Sequence, residues 1–187
     1  SGGDPASIPD LTYEDYLAFH KKYYHPSNSY LYLYGNMDME EKLNWIDENY
    51  LSHFEKIEVD SEVRLQKPFA ERKEEYGFYS VTEGEDTEGK AYFSYNTVCG
   101  DGLDRNLYRA FPVLSYVLVQ SIGAPLKQAL LDAGIGNDIS CYYEESVRQP
   151  FFSIIAKNVK MEQKQQFINV IETELKKIVK EGLNQQS

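Results

Sequence analysis

"FHKKYYHPSNSYLYLYGNMD", residues 19–38, carries the end of a helical pattern, a proline break, a strict Tyr/Leu alternation and a glycine stop. Upstream, Thr12 followed by Asp15 in "TYED" is a capping-box pattern, in which the hydroxyl takes up a free N–H of the first turn. Tyr13, Leu17, His20 and Tyr24 follow at helical spacing, so a helix is expected over residues 12–24. "HPSN" ends it, because the residue before a proline is pushed out of the helical region. Residues 29–34, "SYLYLY", alternate with period two and read as a strand. Gly35 closes the strand, and Asp38 with Glu41 opens a second helix whose stripe is Leu43, Ile46, Tyr50 and Phe54.

The same stretch holds two of the three histidines, and their spacing bears on metal chemistry. Five positions apart on a helix, His20 and His25 would point roughly 140° away from each other. Zinc needs three or four converging ligands. The helical two-histidine motifs H-E-x-x-H and H-x-x-E-H place their histidines four apart, and neither occurs in the chain. His20 is therefore expected as a packed histidine with one hydrogen bond. His53 reads as the end of a helix, where imidazole suits the dipole.

Outward from this stretch, residues 1–11 are rich in Gly, Pro and Ser and read as a linker, leaving 12–187 as a single domain. The chain starts without methionine, so processing or excision from a longer protein is expected. Residues 56–70 read as mixed and extended. "EEYGFYSVT" and "AYFSYNTVCG" read as two strands joined through the acidic turn "EGEDTEGK", as a long-looped hairpin. A helical region over 103–121 should be kinked or split by Pro112. "SIGAPLKQALLDAG" reads as a turn and short helix closed by Gly134 and Gly136. "NDISCYYEES" and "PFFSIIAKNV" read as strands, and 161–181 as a long amphipathic helix with Phe167, Ile168, Ile171, Leu175, Ile178 and Val179 inward. "NMDMEEK" at 36–42 and "NVKMEQK" at 158–164 echo each other, hinting at a duplicated strand-then-helix unit. This order implies an α+β fold: a mostly antiparallel sheet with helices packed on one face.

The 187 residues, 42% of them hydrophobic, suffice for a real core. A formal net charge of −11 disfavours nucleic acid and anionic membranes, and most of it is expected as solvated surface. No apolar run is long enough to span a bilayer, and no signal peptide is read. Cys99 and Cys141 lack metal spacing; two free thiols are expected, with a disulfide left open. There is no phosphate-cradling glycine loop and no G-x-S-x-G elbow. Cys141, in a strand, reads as core rather than nucleophile. No catalytic or metal-ligating residue is assigned, and the substrate-binding residues stay unknown.

"SGGDPASIPDLTYE" with "YYHPSNSYLYLYGNMD" resembles the segment of pitrilysin/insulinase-type zinc metallopeptidases that leads from the catalytic domain into the next, in the form found in the presequence-protease subfamily. "SIGAPLKQALLDAGIGNDISCYYEE" and "FFSIIAKNV" resemble later segments of the same domain, so the likeness covers nearly the whole chain. The resemblance implies the LuxS/mitochondrial-processing-peptidase-like metallohydrolase fold and a parent of four related domains closing around a peptide chamber. It implies zinc in the parent's catalytic domain, held by H-x-x-E-H and a later glutamate, and none in this chain. The chain then corresponds to the second, non-catalytic domain and is inactive alone. Its partners are the other domains of the same polypeptide and, in the parent, an unstructured peptide substrate. Its location is the cytoplasm, or an organelle matrix in a eukaryote. Two competing expectations are a freestanding peptide- or protein-binding module using its tyrosines and sheet edge, and a stand-alone zinc or thiol enzyme.

Overall fold

A computed structural model describes residues 3–183. Residues 1–2 of the expected linker and 184–187 of the expected domain lie outside the described residues. The chain divides into two compact units, Ser1–Arg64 and Leu65–Ser187.

The first unit is helical. A short 3-10 helix, Pro5–Asp10, lies within the stretch read as a linker, with the Asp4 side chain capping it. Helix α1 is Tyr13–Tyr23, and the Thr12 hydroxyl accepts from the Asp15 N–H at 3.1 Å. Helix α2 is Met39–Asn49, started by Asp38, whose Oδ1 accepts from the Glu41 N–H at 3.0 Å. Both starts lie where the sequence places them, because a cap satisfies N–H groups that the helix cannot. Residues 29–34 are extended but join no ladder, which corrects the strand expected there. Period-two alternation says which side chains share a face; it does not supply a neighbouring strand. No described residue of this unit is buried.

The second unit contains the sheet. Strand β1 is Ala91–Val98, helix α3 Arg105–Ser115, helix α4 Pro125–Asp132, strand β2 Asp138–Glu144, strand β3 Phe151–Val159 and helix α5 Lys164–Glu181. The order is β1-β3-β2, antiparallel throughout. Central β3 reads as a nearly continuous apolar run, as a strand flanked on both sides should. Residues 74–82 form no strand, so the expected hairpin is corrected: β1 pairs with β3, Phe93 opposite Ala156 and Tyr95 opposite Ile154. Short-range turn logic cannot foresee a partner so far along the chain.

Alternation sorts the two faces. Phe93, Ile139, Ile154 and Ala156 point into a core completed by Leu126 and Leu130 of α4 and Phe167, Ile168 and Ile171 of α5. Helices thus cover one face, as the α+β reading requires. Pro112 does not split α3, which continues to Ser115 and then widens into a π-helical turn, Tyr116–Gln120, where the Ser121 N–H reaches the Tyr116 carbonyl at 2.8 Å. The Ser115 hydroxyl donates to the Phe111 carbonyl at 2.8 Å one turn earlier. Pro125 stands at the first position of α4, where a missing N–H costs nothing.

Beyond α4, Gly134 and Gly136 adopt φ of 68° and 63°. A Cβ on Gly136 would sit 2.5 Å from the Lys157 carbonyl oxygen, so glycine is needed there for close approach to β3 as well as for the turn. The echo motif at 158–164 ties down this corner. Gln163 Oε1 accepts from the Lys160 N–H at 3.0 Å, while its Nε2 donates to the Gly134 carbonyl at 3.0 Å. Gln166 Nε2 donates to the Ala133 carbonyl at 3.2 Å. Both carbonyls belong to the end of α4, which lacks helical donors of its own.

Candidate functional site

Metal chemistry is the first possibility to place. His25 caps the turn after α1, its Nδ1 accepting from the Ser27 N–H at 3.1 Å. Its ring meets Phe54 edge-on at 5.4 Å. His20 is exposed and stacks on Tyr24 at 4.7 Å, with planes 9° apart. This corrects the expectation of a packed histidine: the stripe it sits on is not buried in this unit. His53 ends a short 3-10 turn, Leu51–His53, that follows α2. Among the described residues, no three His, Cys, Asp or Glu side chains converge as a metal would need.

Neither thiol is hydrogen-bonded to a base. Cys99 is buried and its Sγ lies 3.5 Å from the Thr97 carbonyl. Cys141 is partly buried on β2, its Sγ donating to the Ser115 carbonyl at 3.6 Å and accepting from Gln120 Nε2 at the same distance. Burial pushes both thiols above the usual range, the opposite of what a nucleophile needs. Neither is in a disulfide.

The acidic turn at 83–90 is tied into local pairs. Glu85 takes a 2.5 Å bond from Lys90 Nζ and a 3.1 Å bond from the Thr82 N–H, and the lysine partner foremost holds its carboxyl below the usual range. Glu88 faces Lys160 at 3.2 Å. This is a solvated loop that stays net negative, with Glu85 and Glu88 paired to lysines.

Exposed surfaces are the next candidates. In the first unit, Tyr30 is 105% and Tyr34 85% exposed, so the alternating segment shows its rings fully to the outside. Tyr13 and Tyr16 of α1 and Trp45 of α2 are exposed as well. In the second unit, the sheet face opposite the core presents Tyr92, Ser94 and Asn96 from β1, Lys157 from β3, and Asp138 and Tyr142 from β2, with Ser153 of β3 buried among them. Asn96 Oδ1 accepts from the Ser94 hydroxyl at 2.8 Å and the Ser153 hydroxyl at 2.6 Å. Lys157 pairs with Asp138 at 2.8 Å.

One clamp escapes sequence reading. Arg148, in the β2–β3 turn, forms a two-pronged pair with Asp101, Nε to Oδ1 at 2.9 Å and Nη2 to Oδ2 at 3.0 Å. The Leu103 N–H, followed by Arg148, holds the Asp101 carboxyl below its usual range. The Gly102 N–H donates to the Arg148 carbonyl at 2.9 Å, and a Cβ there would meet the Val147 carbonyl at 2.8 Å. "GDG" thus serves as a backbone contact between the two turns. Its only signal in the sequence is a glycine pair around an aspartate.

Residues 10–187 match the family described as the Peptidase M16 inactive domain, and the chain belongs to that family: it is a non-catalytic domain of a peptidase. Among its relatives, "Protein HypA" of Clostridium perfringens (strain 13 / Type A) is 47% identical over 186 residues, covering 100% of this chain and 19% of the relative. "Presequence protease 1, chloroplastic/mitochondrial" of Arabidopsis thaliana is 32% identical over 98% of this chain and 17% of its own length. "Presequence protease, mitochondrial" of Xenopus tropicalis is 30% identical, over 98% of this chain and 18% of the relative. The chain spans about a fifth of the length of the curated relatives it matches. No described helix is long and apolar enough to cross a membrane.

Proposed function

We propose that this chain is the second domain of a zinc-dependent metalloendopeptidase that degrades unstructured peptides, and that it serves as a structural part of the peptide chamber. The observation that carries the reading is the match of nearly the whole chain to a domain described as inactive, together with presequence proteases among relatives five times its length. In the parent, residues 12–187 act as one domain behind a linker at 1–11. The parent's fold is of the LuxS/mitochondrial-processing-peptidase-like kind. Zinc belongs to the parent's catalytic domain, where it polarises a scissile carbonyl and activates water.

This chain's own residues brace and shape. The capped helices and core of the second unit hold a rigid sheet, and the exposed rings of Tyr30, Tyr32 and Tyr34 supply apolar area for neighbouring domains to cover. The negative charge favours basic peptides over nucleic acid or anionic lipid. The parent works in the cytoplasm, or in an organelle matrix in a eukaryotic cell.

The test is turnover of a fluorogenic unstructured peptide by the full-length parent and by the 187-residue chain. Chelator-sensitive cleavage by the parent and none by the chain is expected. Cleavage by the chain alone, or a full gene encoding nothing beyond it, would overturn the reading in favour of a stand-alone enzyme or a freestanding binding module.

A further inference from the structure

Residues 66–79 take up neither helix nor strand, yet side chains fasten them along their length to the second unit. At the start, the Gln66 N–H donates to Gln149 Oε1 at 2.6 Å, and Gln149 Nε2 donates back to the Gln66 carbonyl at 3.0 Å. The half-buried glutamine thereby imitates one rung of a ladder. Further on, the Arg72 guanidinium pairs with Glu172 of α5 and lies 5.8 Å from the Tyr95 ring centre. Glu74 accepts from Lys164 Nζ, at the start of α5, at 2.8 Å. The same ammonium donates to the Tyr76 hydroxyl at 2.8 Å. At the far end, Tyr79 stacks on Tyr92 at 5.3 Å, and its hydroxyl donates to the Lys90 carbonyl.

These anchors lie on opposite sides of the sheet. Tyr95 shares the core-facing side of β1 with Phe93, and α5 packs on that side. Tyr92 faces the other way. Between residues 72 and 79 the chain therefore passes from the helix side of the sheet to its open side. The edge of β1 that pairs with no strand of this unit is open to that passage, since β1 ends the order β1-β3-β2. An unpaired edge is a template for any extended segment, and proteins guard it with charge or with cover.

We propose that residues 66–79 form a strap that wraps the outer edge of β1 and is latched by the Arg72–Glu172 and Glu74–Lys164 ion pairs, so that ionic strength controls access to that edge. No backbone ladder holds the strap, so its closure depends on exposed and half-buried charges that salt screens. Gln149 and the Tyr79–Tyr92 stack keep its two ends in place while the charged middle opens. The inference goes beyond the function proposed above and does not rest on it.

The test is hydrogen exchange of the full chain followed by mass spectrometry, at low and high sodium chloride, for the wild type and for the Lys164→Gln/Glu172→Gln double variant. In the wild type, exchange in residues 66–79 and in β1 should rise by about two- to thirtyfold with salt, the range two such pairs can supply. In the variant it should be fast at low salt and indifferent to more. Exchange in β3, which has a strand on either side, should be the same under all four conditions. Salt-independent exchange of 66–79 and β1 in the wild type would overturn the proposal, as would β3 exchanging in step with β1, which marks opening of the whole sheet rather than of the strap.

Discussion

The two units share local grammar and differ in what that grammar achieves. Asp38 opens α2 as Thr12 opens α1, and Asp104 opens α3 by accepting from the Asn106 and Leu107 N–H groups at 2.9 and 3.2 Å. Yet the first unit buries no described residue, while the second closes a core in which Leu126, Leu130 and Ile171 reach zero exposure. The echo motif makes the contrast sharper. "NVKMEQK" follows β3, the central strand, and its Gln163 grips the end of α4. "NMDMEEK" follows an extended segment with no ladder. Caps decide where helices begin; burial decides whether they hold. Helices of 11 residues, such as α1 and α2, are marginal in water without a packed face. The first unit thus has the composition of a surface to be covered.

The largest expected effect comes from core truncation. Leu126→Ala should cost about 2–5 kcal/mol in urea unfolding, through lost transfer energy and the cavity left behind. Leu43→Ala, on an exposed face of the first unit, should stay within about 0.5 kcal/mol. Equal costs at the two positions would erase the comparison.

Backbone approach gives the next contrast. Gly136→Ala should destabilise the second unit by about 1–2 kcal/mol or more, since it adds a left-handed penalty to a collision with the Lys157 carbonyl. Gly35 also has positive φ, 140°, but its Cβ would meet only the flexible end of Met37 at 3.2 Å. Gly35→Ala should leave the main unfolding midpoint in place.

Cap removal separates the units by observable. Asp104→Ala should lower global stability by about 1 kcal/mol. Thr12→Ala should instead reduce helical circular dichroism without moving the midpoint. A midpoint shift as large as that of Asp104→Ala would show that α1 is part of the cooperative core.

The smallest effect concerns pH. Because the Asp101 carboxyl is held below its usual range, its contribution is present above the unfolded value near 3.8 and is lost as pH falls through the lower folded value. Asp101→Asn should therefore lower the melting temperature at pH 7 and narrow its gap to wild type under acid. A gap that widens on acidification would assign the clamp the wrong sign.

Much of this was legible because it is local. Thr12, Asp38, Gly134 and Gly136 signal element ends through chemistry confined to one turn, and the α5 stripe from Phe167 to Ile178 follows helical period, whereas Val179, expected inward with it, is exposed. What was hidden is long-range or contextual. Nothing near β1 says that its partner is β3 rather than residues 74–82. The alternation of 29–34 gives a face without a neighbour, and the stripe through His20 stays exposed. The π-helical turn after Pro112 depends on where Ser121 finds an acceptor. The Arg148–Asp101 clamp joins two turns that meet only once the sheet has formed.

Both units, different as they are, assemble no converging metal donors among the described residues, and the central claim is that this chain holds no zinc of its own. Elemental analysis of the chelator-washed 187-residue chain, followed by dialysis against trace zinc, tests that claim most directly. Zinc well below one per chain and no release of protons on addition are expected. One tightly held zinc per chain that is lost on replacing His20 and His25 would contradict it.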